Sequence, residues 1–221
     1  AGCSSWVNDQ LRAKDYRPGA FAVLPPGSSL HDYYRTFFPA FDQLRICFAG
    51  LVMAYKGPQV LVEALAILKK MGVPFTCEIA GDPPNQEFFD RLQSHAREEG
   101  LEDQVSFLGF CDRSELRALY SRSNVLAFPS VFEEPFGKVQ IEAQAAGLAV
   151  VRSAVGGFAD TTVDGENGLL FPGSNATELA RGLFTLQGDP TLWETIAKNG
   201  QRDAFRFTTA KSVATLEGTF R

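Results

Sequence analysis

From Arg45 onward the chain alternates between short, nearly continuous apolar runs and longer stretches in which apolar residues recur every three or four positions. The first pattern suits strands buried on both faces, the second helices that bury a single stripe. Their alternation predicts βαβ units, and therefore an α/β fold with a Rossmann-like, doubly wound parallel sheet. The expected strands are Arg45–Ala49, Phe75–Ala80, Val105–Leu108, Val125–Phe128, Ala149–Arg152 and Gly168–Phe171. A helix is expected from about Gln59 to Met71, with Val60, Leu61, Ala64, Leu65 and Leu68 on one face, Pro58 at its start and Gly72 just past its end.

Helix starts are also marked where Asp112 precedes Glu115 and Asn175 precedes Glu178 by three positions, the spacing of a capping box rather than of a catalytic acid pair. Pro190 opens a helix expected to close at Gly200, and a last helix is expected from Thr209 to Phe220. The first forty-odd residues differ: a short helix around Trp6–Arg12, an extended piece Ala20–Leu24, the break Pro25-Pro26-Gly27-Ser28-Ser29, then an aromatic-rich run to Phe41. Residues 1–43 read as a linker with a fragment attached, and 44–221 as the main domain.

Composition narrows the function classes. With 221 residues, 45% hydrophobic and 21% charged, the chain is long enough for its own core, and it is not a disordered segment, a collagen-like fibre or a coiled coil. No run approaches the ~18 apolar residues of a membrane span, and Ala1 to Trp6 lack the basic-then-apolar order of a signal peptide, so a cytoplasmic protein is expected. Cys3, Cys47, Cys77 and Cys111 stand singly and His31 and His95 are the only histidines, which points to neither a disulfide framework nor a metal site. A formal charge of −5 offers no basic stripe, so nucleic acid is not an expected partner.

The chemistry concentrates in Pro129-Ser130-Val131-Phe132-Glu133-Glu134-Pro135-Phe136-Gly137-Lys138, where a strand ends and a helix begins. In an open α/β sheet the ligand crevice lies at the carboxyl ends of the strands, and a helix starting near Gly137 would aim its free N–H groups at an anion there. Glu134 lies just before that helix and Glu142 about a turn and a half inside it, so both carboxylates can border one pocket. A carboxylate accepts hydrogen bonds from two vicinal hydroxyls, so the combination suits a ligand with both phosphates and sugar diols. On spacing alone, the competing possibility stays open that Glu133 and Glu134 form a solvated loop pair and Glu142 an exposed helix residue.

The motif E-x₇-E formed by Glu134 and Glu142, followed by Ala143-Gln144-Ala145-Ala146-Gly147, resembles the retaining GT-B glycosyltransferases of the glycogen synthase/sucrose synthase type, family 4. Further blocks occur in that family's order: Gly50-Leu51-Val52 with Lys56-Gly57, Ile79-Ala80-Gly81-Asp82, Phe107-Leu108-Gly109, Pro129-Ser130, Val155-Gly156-Gly157, and Asp164-Gly165-Glu166-Asn167-Gly168. The resemblance runs from about Leu44 to the C-terminus, with a looser one at Cys3-Ser4-Ser5-Trp6 to the end of the family's acceptor domain.

The resemblance implies a transferase that takes a nucleotide diphosphate sugar as donor substrate and passes the sugar to an unknown acceptor; nothing visible in the sequence requires a metal, and no cofactor is expected. Lys56 would sit on the diphosphate and Glu134 on the donor sugar as the catalytic pair. Glu142 would take the ribose hydroxyls, and the backbone of Phe136, Gly137 and Lys138 the sugar and diphosphate. Backbone groups at Cys111 would receive the base, and Gly156 and Gly157 would line the crevice, unless they are only a tight turn needing positive φ. Bond breaking loads negative charge on the departing diphosphate, and losing one preorganised donor to such a charge costs about 3–4 kcal/mol.

Two departures stand out. The family's arginine after the first glycine is replaced by Leu51, leaving Arg152 and Lys138 as candidate replacements for that cation. By the same resemblance, residues 44–221 are the donor domain and residues 1–43 only a remnant of the acceptor domain and linker, so the N-terminal acceptor domain is missing and the isolated chain is expected to bind donor but transfer poorly. Two alternatives remain open at the sequence level: the same fold cleaving a glycosidic bond by hydrolysis or phosphorolysis, and a non-catalytic nucleotide-binding module. A nicotinamide-binding domain is disfavoured because no G-x-G-x-x-G follows the first strand.

Overall fold

A computed structural model of the chain describes residues 2–16, 22–36, 38 and 41–219. Its centre is a six-stranded sheet in the order β3-β2-β1-β4-β5-β6, with every neighbouring pair parallel. The strands are β1 (Leu44–Ala49), β2 (Phe75–Ala80), β3 (Val105–Gly109), β4 (Val125–Phe128), β5 (Ala149–Ser153) and β6 (Leu169–Phe171). Each falls within a residue or so of its apolar run, because a strand covered on both faces must be apolar at successive positions.

Helices cover both faces. In chain order the helices of the molecule are α1 (Ser5–Ala13), which packs on the turn Gly157–Asp160, then α2 (Pro58–Lys70), α3 (Gln86–Glu98), α4 (Arg113–Arg122), α5 (Lys138–Ala145), α6 (Ala176–Gly188), α7 (Pro190–Ala204) and α8 (Thr209–Thr219), which follows the turn Phe205–Phe207. The alternation of side chains along β1 divides the core: Leu44, Ile46 and Phe48 join Leu61 and Leu65 of α2 and Leu183 of α6, whereas Cys47 and Ala49 join Leu119 of α4 and Ile141 of α5. Burial pushes the Cys47 thiol up to about 12, as befits a core residue rather than a nucleophile.

The expected caps form. Asp112 and Glu115 make a reciprocal capping box at α4, and the Asn175 side chain accepts from the Glu178 N–H at 3.0 Å. One boundary is corrected: Gly200 does not end its helix but lies buried inside α7. A Cβ there would stand 3.2 Å from the Asn167 carbonyl oxygen and 3.3 Å from the Gln144 side chain, so this glycine serves close packing of α7 against α5. Phe220, and Ala20 and Phe21 of the expected extended piece, lie outside the described residues.

The segment before β1 packs on this body. Ser5 donates to Asp160 from its N–H at 2.6 Å and its hydroxyl at 2.8 Å. Gly2 pairs with Val23, Leu30 is fully buried, and the Phe41 ring stacks on Trp193 with centroids 4.8 Å apart. Among the described residues no helix is long and apolar enough to cross a membrane, and no cluster of His, Cys, Asp and Glu could hold a metal.

Candidate functional site

The strand order reverses between β1 and β4, since β1 continues to β2 on one side and to β4 on the other. Loops leaving the carboxyl ends of two such strands diverge to opposite faces and leave a crevice between them. Here that crevice holds a cavity of about 320 Å³, walled by Phe48 to Gly50 at the end of β1, by Phe128 and Ser130 at the end of β4, and by Glu134 to Val139. Lys56 completes the wall.

Local backbone chemistry sets that lysine in place. The 3₁₀ turn Ala54–Lys56 ends at Gly57, which has φ +75°. A Cβ at Gly57 would lie 1.9 Å from the carbonyl oxygen of Pro129, so only glycine lets the β1–α2 loop touch the loop after β4. The two loops are fastened beside this contact, where the Tyr55 carbonyl accepts from the N–H groups of Val131 at 2.9 Å and Phe132 at 3.1 Å. In consequence the Lys56 ammonium donates to the Glu134 carboxylate across the cavity mouth.

Helix α5 begins one residue after Gly137, whose φ of +84° turns the chain into the helix. Gly137 has no side chain with which to cap this end, and because Gly137, Lys138 and Val139 line the cavity, the first N–H groups and the positive end of the helix dipole lie beside it. Phe136 is buried, lines the same cavity, and is held by an edge-on contact with Phe207, centroids 5.2 Å apart.

A second hollow of about 180 Å³ adjoins the first, sharing Ala49, Gly50 and Val139 with it. Its walls are mostly apolar and include Leu51, Phe110, Cys111 and Leu116, together with Asp82. Burial raises the Cys111 thiol above its ordinary value, which keeps it neutral. The pair of hollows offers a charged end and a mostly apolar end.

Glu142 is not among the residues lining either hollow. It lies on the same face of α5 as Lys138 and Val139, four and three positions on, and its carboxylate accepts from the Ser28 hydroxyl at 3.0 Å. Desolvation raises its pKa, while the Ser28 hydrogen bond and the charges of Lys138 and Arg113 act in the opposite direction.

The other expected residues are placed differently. Gly156 and Gly157 press on the Glu134 loop from outside the two hollows: a Cβ at Gly156 would meet the Glu134 carbonyl oxygen at 2.3 Å, and one at Gly157 the Pro135 carbonyl oxygen at 2.1 Å. Only Gly156 has positive φ, at +68°; Gly157 is required for space, and its N–H donates to the Glu134 carbonyl at 2.8 Å.

Arg152 does not reach the cavity. It is fully buried, donating to Gln140 Oε1 at 2.5 Å, Thr161 Oγ1 at 3.2 Å and the Ser153 carbonyl at 3.1 Å. Its guanidinium rests 5.3 Å from the centre of the Phe128 ring. Burial lowers its pKa to about 10, which leaves it charged at neutral pH. Lys138 is exposed at the cavity and is the remaining candidate for the cation absent at Leu51.

Two residues to which the sequence assigns no role of their own also stand here, although Ser130 belongs to the Pro129-Ser130 block. Ser130 lines the cavity with a buried hydroxyl that has no partner among the described residues, and Ser28 reaches Glu142 from 114 positions away.

Comparison with known proteins bears on this geometry. The D-inositol 3-phosphate glycosyltransferase of Corynebacterium glutamicum is 30% identical over 228 residues, covering 97% of this chain and 54% of that protein. The crystal structure of Anabaena HepE in complex with UDP and glucose superposes with a TM-score of 0.88 at 25% identity, over 99% of this chain and 61% of HepE. Sucrose-phosphate synthase from Thermosynechococcus elongatus gives 0.84 at 30% identity, over 98% of this chain and 56% of the synthase. The chain spans about half the length of the curated relatives it matches. The sequence pattern of the family described as Glycosyl transferases group 1 matches residues 38–203, most of the chain and all six strands. With its Rossmann-like sheet in the arrangement of GT-B structures, the chain belongs to the glycosyl transferases group 1 family.

Proposed function

We propose that this chain is the donor-binding half of a retaining, family 4 type glycosyltransferase, which moves a hexose-type unit from a nucleoside diphosphate sugar to an acceptor hydroxyl. The observation that carries this reading is the pairing of Lys56 with Glu134 in the same cavity as the uncapped start of α5. That arrangement provides an ammonium and backbone N–H groups for a diphosphate, and a carboxylate for sugar hydroxyls. The adjoining apolar hollow beside Cys111 is of a kind to receive a base, and the UDP complex of HepE makes uridine nucleotides the first probes.

In this reading the anomeric C–O bond breaks toward the diphosphate, whose growing charge Lys56 and the first N–H groups of α5 stabilise, with Lys138 as a further cation. The acceptor oxygen forms the new C–O bond on the face the diphosphate leaves, and its proton passes to the departing phosphate oxygen. Glu134 holds the sugar and offsets positive charge developing at its ring. Glu142 takes the ribose diol.

Thermal melting of the chain with a panel of nucleoside diphosphates and their sugars tests the reading, since a ligand that binds only the folded state raises the transition. A rise for one nucleoside diphosphate, lost in Lys56→Ala, is expected. No rise for any member of the panel would overturn it.

A further inference from the structure

Ser28 is held unusually firmly for a residue outside the sheet and its helices. Its N–H donates to the Phe207 carbonyl at 3.1 Å, and its own carbonyl accepts from the Thr209 N–H at 3.4 Å. The residue is only 6% exposed. Pro25 and Pro26 restrict the backbone before it, and Gly27 lies so close to the start of α8 that a Cβ there would stand 2.5 Å from the Thr209 Cα. The hydroxyl direction is therefore set by backbone fastened to another element.

That hydroxyl is the one hydrogen-bond partner of the Glu142 carboxylate among the described residues. It engages Oε1 and leaves Oε2 unclaimed. Glu142 shares its helix face with Val139, which lines both hollows, so the carboxylate lies one turn along α5 from the seam between the charged end and the apolar end. In a bound nucleotide the ribose joins base to diphosphate and would occupy that seam.

We infer that Ser28 is a positioning residue for ribose recognition: by holding Oε1 of Glu142, its hydroxyl fixes the carboxylate so that it selects a ribose diol over a 2′-deoxyribose. The inference rests on the proposed donor site. A free carboxylate would sample several rotamers and lose part of its binding energy to ordering, whereas a side chain already locked does not.

The test is calorimetric titration of the chain with UDP, ADP and GDP and their 2′-deoxy counterparts. Wild type is expected to favour the ribose form of its nucleotide by about tenfold, as for a hydrogen bond to a charged group. Ser28→Ala is expected to reduce that ratio to about twofold, and so is Ser28→Cys, which keeps the branching with a larger atom and weakens the donor. Ser28→Thr, which restores a hydroxyl, is expected to recover it. In Glu142→Gln the preference is expected to be lost already, and adding Ser28→Ala should change the ratio no further. If the Ser28 variants weaken ribose and deoxyribose forms equally and keep the wild-type ratio, Ser28 is only structural and the inference is overturned while the donor site stands. If wild type binds none of the nucleotides, the donor-site reading fails with it.

Discussion

Lys56 and Glu134 are 78 positions apart and meet as an ion pair over one cavity. Neither helix nor sheet brings them together; the contact of Gly57 with the Pro129 carbonyl and the paired N–H bonds to Tyr55 do. Both side chains remain partly open, 22% and 15% exposed, and both line the cavity, so the pair is reached from the space a ligand would fill. On the proposed reading the charge is placed before the ligand arrives, which would remove an ordering cost from binding.

Lys56→Ala is expected to weaken binding of the nucleoside diphosphate by about 1.5–3 kcal/mol, the range for a hydrogen bond to a charged group, and to leave binding of the uncharged nucleoside unchanged. Calorimetry with both ligands checks this. Equal losses for the two would show that the substitution disturbs the pocket rather than the diphosphate contact.

Gly156→Ala addresses the loop that carries Glu134. The new Cβ cannot coexist with the Glu134 carbonyl oxygen at 2.3 Å, and the residue has φ +68°, so the loop must shift. Loss of donor affinity with most of the helical signal retained in circular dichroism is the expected outcome; unchanged affinity would mean that the loop position is immaterial to the site.

The pH dependence follows from Glu142. Burial raises its pKa above the ordinary glutamate value, so in the pH interval between the unfolded and the raised value the folded chain holds a proton there that the unfolded chain has released. The contribution of Glu142 to stability is therefore present in acid and lost as pH rises through the raised value. Ligand binding has the opposite sense, because the diol acceptor is the ionised form: affinity for a ribonucleotide is expected to fall on acidification at a pH where an ordinary glutamate is still charged. Glu142→Gln should abolish this step, and comparing the two proteins cancels the titration of the phosphate itself. The same variant should melt no lower than wild type at neutral pH. A wild-type acid limb identical to that of Glu142→Gln would contradict the assignment.

Arg152→Ala is expected to cost about 3 kcal/mol of stability, since it empties a buried site and strips donors from Gln140 and Thr161. Chemical denaturation measures it. The effect on nucleoside diphosphate affinity should be smaller than that of Lys56→Ala; a larger one would mean that Arg152 contacts the ligand after all.

Much of this was legible in the sequence, for identifiable reasons. The strands could be placed because burial on both faces leaves an unmistakable apolar run, as at Val125–Phe128. The turn into α5 was marked by Gly137, whose left-handed backbone glycine accommodates readily. Gly200 is ambiguous in sequence because glycine signals both helix ends and close helix packing, and only the neighbouring Asn167 and Gln144 decide which. Arg152 is ambiguous in a similar way. Its place near a strand end suits the crevice, but in β5 it stands opposite Phe128 and its side chain meets Gln140 of α5. The Ser28–Glu142 contact carries no local signal, because it depends on how the chain before β1 lies against α8.

A crystal structure of the chain with a bound nucleoside diphosphate tests the central claim most directly. The account predicts the diphosphate in the cavity between β1 and β4, within hydrogen-bond distance of the Lys56 ammonium and the first N–H groups of α5, with the base beside Cys111. A nucleotide bound with its phosphates away from Lys56 and α5 would contradict it.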